Sequence, residues 1–244
     1  RYMPPGFIVI GTSDSRLLVA PFDAKRGTLT GTPVPVLQGV ATDASNGTVQ
    51  FAVSETGALL YQEVASGGDV LVWVDRSGKT APVDSTLKGL IQNLALSPDG
   101  TQIAVSTTES GEPEVWVKQL RTGAYSKLSF DVIGADRPVW TPDGRKVAFL
   151  ATRDGRRTAW MRRADGSDST RPASPGSTQL DEIWLDQAGR YTVLRSEGAG
   201  VGSRRLLVVE NGVDTMPRPL IQSQFDHYSP ILSPSGRWIA YVSE

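Results

Sequence analysis

The chain holds one histidine, His227, and no cysteine, so few residues could move a proton or attack a carbonyl near neutral pH. A Ser-His-Asp hydrolase would need His227 as its base. No serine sits in a G-x-S-x-G elbow, and no glycine-rich oxyanion loop adjoins one. His227 therefore reads as a partly exposed residue in a loop or at a channel opening. The missing cysteines remove disulfides, thiolate catalysis and cysteine metal sites together. DGSDS (165–169) has acidic spacing that suits a hard cation but lacks the longer ligand pattern and closing Glu of an EF-hand, and reads as a solvated turn. SEGAGVGS (196–203) is neither a dinucleotide fingerprint nor a P-loop, and reads as a hairpin loop. Asn46-Gly47-Thr48 fits a glycosylation sequon. No cofactor and no catalytic residue is expected.

The one basic cluster is RDGRRTAWMRR (153–163), where Trp160 stands among Arg153, Arg156, Arg157, Arg162 and Arg163. Arginines beside a stacking aromatic can hold single-stranded nucleic acid. Strand alternation instead puts Trp160 in a packed interface and the arginines at its rim. The 25 Lys and Arg nearly balance the 26 Asp and Glu, for a formal charge of −1, which gathers no polyanion. A nucleic-acid partner is not expected. No apolar run approaches the ~18 residues of a membrane span, so any membrane link would come from flanking sequence.

These residues are carried by a repeat. Turn glycines close SETG at Gly57, SPDG at Gly100, TPDG at Gly144, DQAG at Gly189 and SPSG at Gly236, spaced 43, 44, 45 and 47 residues apart. That is the ~40–50-residue period of propeller blades. Pro98 and Pro142 preset φ for the second turn position, Asp99 and Asp143 suit the third, and the glycine takes φ > 0. A short apolar strand precedes each turn and an alternating one follows it, as in RKVAFLA (145–151), with a period of two rather than 3.6. A third strand and a second glycine turn follow at Gly78, Gly123, Gly166 and Gly212. A weaker fourth strand with Pro nearby (125–130, 217–222) fits an outer edge.

The expected fold is all-β, a β-propeller of four-stranded antiparallel blades, about five blades and half of another. The blades run over approximately 1–40, 41–85, 86–130, 131–175, 176–222 and, in part, 223–244. The first is trimmed at its start and the last supplies only two strands, so both ends read as cut from a longer protein. Apolar residues on both faces, such as Val139, Trp140, Val147 and Phe149, need a neighbouring blade to cover them. An isolated 1–244 chain is accordingly expected to expose one blade flank and aggregate.

Seven residues before each turn glycine, at the entrance of the innermost strand, stand Gln50, Asn93, Arg137, Glu182 and Ser229. Each is polar and the positions after it are mainly apolar. In a propeller they converge on one mouth of the central channel, where they solvate trapped water or face a ligand. Under the second reading Arg137 opposes an acidic group of a peptide terminus or saccharide, while Glu182 and Asn93 orient it.

The S/T-P-D-G unit resembles the PD-type, WD-like propeller repeat of periplasmic TolB-type proteins over essentially the whole chain. RYMPPGFIVI (1–10), LLVAPFDAKRGTLTGTPVPVLQGV (17–40), FAVSETGALLYQ (51–62) and VLVWVDRSGK (70–79) look like the extracytoplasmic C-terminal propeller of bacterial membrane-anchored, eukaryotic-like serine/threonine kinases. This resemblance implies a non-catalytic sensor or interaction domain outside the membrane that binds a protein, peptide or small ligand at its channel mouth. A TolB-like periplasmic scaffold and the substrate-gating propeller of a prolyl-peptidase-type hydrolase are the alternatives.

Overall fold

A computed structural model describes residues 2–3, 6–42, 48–54, 58–63, 70–83, 90–108, 111–198, 200 and 202–244. The turn glycine Gly57 and the sequon at Asn46 lie outside them. Among the described residues there is no helix, and the strands form five antiparallel sheets of four or five strands and one of two.

In blade 1, Tyr2–Met3, Phe7–Thr12 and Arg16–Asp23 pair in succession, and Arg16–Asp23 also carries Thr28–Leu29 and Val34–Gln38. Blade 2 is Phe51–Val53, Leu59–Glu63, Val70–Val74 and Thr80–Pro82. Blade 3 is Leu90–Leu96, Gln102–Thr108, Glu114–Gln119 and Tyr125–Lys127. Blade 4 is Ile133–Trp140, Lys146–Arg153, Arg156–Arg163 and Arg171–Pro172. Blade 5 is Leu180–Leu185, Tyr191–Ser196, Leu206–Glu210 and Arg218–Pro219. His227–Leu232 and Ile239–Ser243 make the two-stranded blade 6. The outer strands are shorter than the sequence pattern suggests: 217–222 yields only Arg218–Pro219, since a proline donates nothing to a ladder.

The first strands of blades 2 to 6 touch one another in succession, which makes them the innermost strands around an axis. The apolar residues then collect between sheets. One cluster joins Val9 and Leu17 to Tyr61 and Val72, a second Leu60 and Leu71 to Leu94 and Ile103, a third Val115 and Val117 to Val147 and Phe149, and a fourth Ala148 and Leu150 to Ile183 and Leu194. Trp140 adds a link across blades by donating its indole N–H to the Ala95 carbonyl at 2.9 Å.

The hairpin turns of blades 2 to 6 form a row of their own. In blade 3 the Ser97 hydroxyl donates to Asp99 Oδ1 at 2.6 Å, the same oxygen accepts the Thr101 N–H at 3.0 Å, and Gly100 lies at φ 73°. TPDG repeats this with Thr141, Asp143 and Gly144 at φ 65°. DQAG has no hydroxyl, and Asp186 itself accepts the Tyr191 N–H at 2.7 Å. A Cβ placed on Gly100 would meet Ser54 at 3.7 Å, on Gly144 Pro98 at 3.7 Å, on Gly189 Pro142 at 3.9 Å and on Gly236 Asp186 at 3.7 Å. Each turn leans on the turn of the preceding blade.

Candidate functional site

Four of the five aligned polar residues lie inside the innermost strands rather than at their entrances, and Gln50 alone of the five stands just before its strand. Asn93, Arg137, Glu182 and Ser229 lie inside Leu90–Leu96, Ile133–Trp140, Leu180–Leu185 and His227–Leu232, each at or beside a register shift between the first and second strands. A bulge leaves one residue outside the ladder, and its N–H needs another acceptor. The polar residue of the preceding blade can supply it. Asn93 Oδ1 accepts the Arg137 N–H at 3.2 Å, and Glu182 Oε2 accepts the Ser229 N–H at 2.9 Å. Arg137 and Ser229 have φ of 51° and 47°, a left-handed conformation that costs non-glycine residues of the order of 1 kcal/mol or more.

The intervening link is electrostatic, with the Arg137 guanidinium 4.0 Å from Glu182. Four of the five aligned residues are thus joined from blade 3 to blade 6. Gln50 is buried immediately before Phe51–Val53, where its backbone bonds to Ala41 and Gln62.

Around this chain of contacts lies a charge cluster. Arg195 is 5% exposed, within 3.1 Å of Asp181 and of Glu182, and its guanidinium lies 5.5 Å from the Tyr228 ring centre. Both pairings are ion pairs by proximity; Nε and Nη1 are not aimed as hydrogen-bond donors. Arg157 pairs with Asp136 and donates to the Gly134 carbonyl at 3.0 Å. Burial pushes the Asp136 carboxyl up, with the charges of Arg157 and Arg137 acting against it. On blade 5 Arg204 donates its N–H to Asp226 at 2.9 Å and its guanidinium to the Tyr228 hydroxyl at 2.9 Å. The first of these contacts holds the Asp226 carboxyl below its ordinary range. Four arginines thereby face four carboxylates. Such a balanced cluster carries no net charge of either sign, and it can orient a group with its own carboxylate or ammonium.

His227 is 2% exposed, which corrects the expectation of a partly exposed residue. It opens the innermost strand of blade 6, and its ring meets the Tyr241 ring edge-on at 5.1 Å. Its Nε2 lies 3.0 Å from the Ser223 hydroxyl, while Nδ1 is buried without a hydrogen bond. A serine–histidine pair without a group to orient the imidazole lacks the logic of a triad. The acids of DGSDS turn inward on their own hairpin: Asp165 accepts from Arg163 and Ser167, and Asp168 accepts the Arg163 N–H at 2.8 Å. Among the described residues no group of His, Asp and Glu is placed to hold a metal ion.

A family model described as the TolB β-propeller domain, PD40, matches residues 53–244. The chain belongs to the TolB β-propeller family. It is 33% identical over 118 residues to the Tol-Pal system protein TolB of Anaeromyxobacter dehalogenans strain 2CP-C, covering 47% of this chain and 26% of that protein. An uncharacterized peptidase, YuxL, of Bacillus subtilis is 23% identical over 146 residues, covering 59% of this chain and 20% of the other. The chain thus spans about a quarter or less of the curated relatives it matches. The crystal structure of TolB from Acinetobacter baumannii superposes with a TM-score of 0.70 at 18% identity, over 98% of this chain and 64% of that one.

In this TolB-family propeller the repeat columns bring out four residues that the structure joins, but not most of the charges around them. Arg195 stands six residues after Gly189, where the units ending in Gly100 and Gly144 have Ser106 and Leu150. An arginine inside the apolar alternation of YTVLRS was the available signal. Asp136–Arg157 and Arg204–Asp226 had none, because the pairs are 21 and 22 residues apart and meet only through the hairpins that join them.

Proposed function

We propose that this chain is a non-catalytic, extracytoplasmic binding propeller that receives the carboxylate of a protein segment at the mouth formed by blades 4 to 6. The observation that carries the reading is the state of Arg137. Its side chain is 20% exposed and its guanidinium contact to Glu182 is 4.0 Å, too long for a hydrogen bond, so its fork is available to a ligand. Glu182 and Asn93, engaged by backbone N–H groups, hold the strands that present Arg137 rather than orienting the ligand. The left-handed backbone at Arg137 is strain of the kind found at working sites.

Within this reading the segments at 1–40 and 51–79 favour the sensor or interaction domain of a membrane-anchored bacterial serine/threonine kinase. The similarity to a Tol-Pal system protein favours a second setting, a periplasmic scaffold that docks a partner peptide in the same mouth. The adjoining sequence separates them: a kinase domain with a membrane helix supports the first, a signal peptide with a small α/β domain the second.

The mouth is tested by titrating the chain with short peptides carrying a free C-terminal carboxylate and with their amidated counterparts, following arginine side-chain signals by NMR. Free peptides should shift the Arg137 signal, amides should not, and Arg137→Ala should abolish the response while the melting temperature stays within a few degrees. Equal responses to both peptide forms, or binding undiminished in Arg137→Ala, would sink the reading.

A further inference from the structure

Apart from the mouth, a cleft of about 450 Å³ opens at the outer rim of blade 4. It lies between the Arg153–Arg156 hairpin and the stretch that follows the outer strand, and it shares no residue with the charge cluster described above. Its floor is the Trp160 indole, packed against the cluster between blades 3 and 4. The Arg153 guanidinium stacks 4.1 Å from the centre of that ring. Thr158, Ser174 and Ser177 add hydroxyls to the lining, and Arg156 stands at its edge.

Of the five arginines that make RDGRRTAWMRR basic, three have terminal nitrogens engaged elsewhere. Arg157 pairs with Asp136, Arg163 with Asp165, and Arg162 donates to the Leu128 and Gly166 carbonyls over the Phe130 ring. The other two do not. Arg153 lines the cleft and uses only Nε, on the Asp131 carbonyl at 3.0 Å, which leaves its two terminal nitrogens without a hydrogen bond among the described residues. Arg156 is exposed and its side chain forms no ion pair or hydrogen bond among the described residues. Stacking on Trp160 holds the Arg153 fork in place before any ligand arrives, which reduces the ordering cost of binding.

We propose that this cleft binds a carboxylate-bearing sugar of the uronate type. The carboxylate would lie on Arg153 and Arg156, and ring hydroxyls would reach Thr158, Ser174 and Ser177. The volume falls within the range of small-ligand sites, and an aromatic floor with a few converging polar groups is their usual lining. Two arginines against the single acid Asp154 match one carboxylate better than a doubly charged phosphate, which would also meet Asp154. An extended peptide fits less well. It would need a continuous ladder of free backbone groups, and the adjacent outer strand offers only Arg171–Pro172, of which the proline has no N–H.

The test is calorimetric titration of the chain with the dimers of galacturonate, glucuronate and mannuronate, the matching neutral disaccharides, and diglutamate. At least one uronate dimer should bind, the neutral sugars should not, and Arg156→Ala should weaken binding at least about tenfold without lowering the melting temperature. Arg137→Ala should leave this binding unchanged, which separates the cleft from the mouth. No uronate binding, equal binding of a neutral dimer, tighter binding of diglutamate than of any uronate dimer by the Arg137→Ala chain, or full affinity in Arg156→Ala each overturns the proposal.

Discussion

Glu182 shows how much one side chain decides at the mouth. It is 2% exposed, accepts the Ser229 N–H from the next blade, and lies near both Arg137 and Arg195. A buried charge that loses its partner costs more than a surface pair ever contributes. Glu182→Ala leaves Arg195 with Asp181 alone and the Ser229 N–H uncapped, and is expected to destabilise the fold by about 3 kcal/mol in urea unfolding. Glu182→Gln keeps an acceptor for Ser229 and should fall between. A loss below about 0.5 kcal/mol for the alanine variant would mean that the carboxylate is solvated and the interblade link idle. The alignment marked Glu182 as polar in an apolar strand, but its burial was not legible. Its partners at Arg137 and Ser229 lie 45 and 47 residues away, and the bulges that aim them are set by packing between blades.

At the scale of the hairpin, the S/T-P-D-G turn was readable to the level of individual hydrogen bonds, because every group it needs is local. Asp99 accepts from the Ser97 hydroxyl, from the Thr101 N–H and from the Thr101 hydroxyl. These contacts, the Ser97 hydroxyl first, hold its carboxyl below the ordinary 3.8. A carboxyl depressed in the folded state contributes stability above its unfolded value, and that contribution disappears as pH falls through the folded one. Asp99→Ala should therefore cost about 1 kcal/mol near pH 7, and the gap between variant and wild type should close on acidification below 3.8. Parallel urea titrations at several pH values measure it; a gap that widens in acid contradicts this account of the turn. What the pattern could not give was strand length. The outer strands end early, and the innermost ones begin several residues before the aligned polar positions, because burial and bulges rather than local propensity set those limits.

Across the whole molecule, each blade buries its apolar faces only against its neighbours, so stability is a chain of interfaces rather than one core. Blade 4 shares a cluster with blade 3 and another with blade 5, and five consecutive residues of its second strand, Val147–Ala151, are fully buried. Blade 6 has two strands, and Trp238, Tyr241 and Val242 are 48%, 41% and 49% exposed. It touches blade 1 lightly, where a Cβ on Gly27 would meet the Trp238 ring at 3.9 Å. Local opening follows contact density, so amide hydrogen exchange should be slowest in Lys146–Arg153 and at least about a hundredfold faster in Ile239–Ser243, with blades 3 and 5 between. Phe149→Ala removes a side chain at the interface of blades 3 and 4, should cost about 3–5 kcal/mol, and should speed exchange on both sides of that interface. Equal protection in blades 4 and 6 would show the wheel opening in a single step. Graded protection would place the mouth of blades 4 to 6 across the boundary between the stable and the labile parts of the ring, so that a ligand bridging Arg137 and blade 6 would slow exchange in Ile239–Ser243 more than anywhere else.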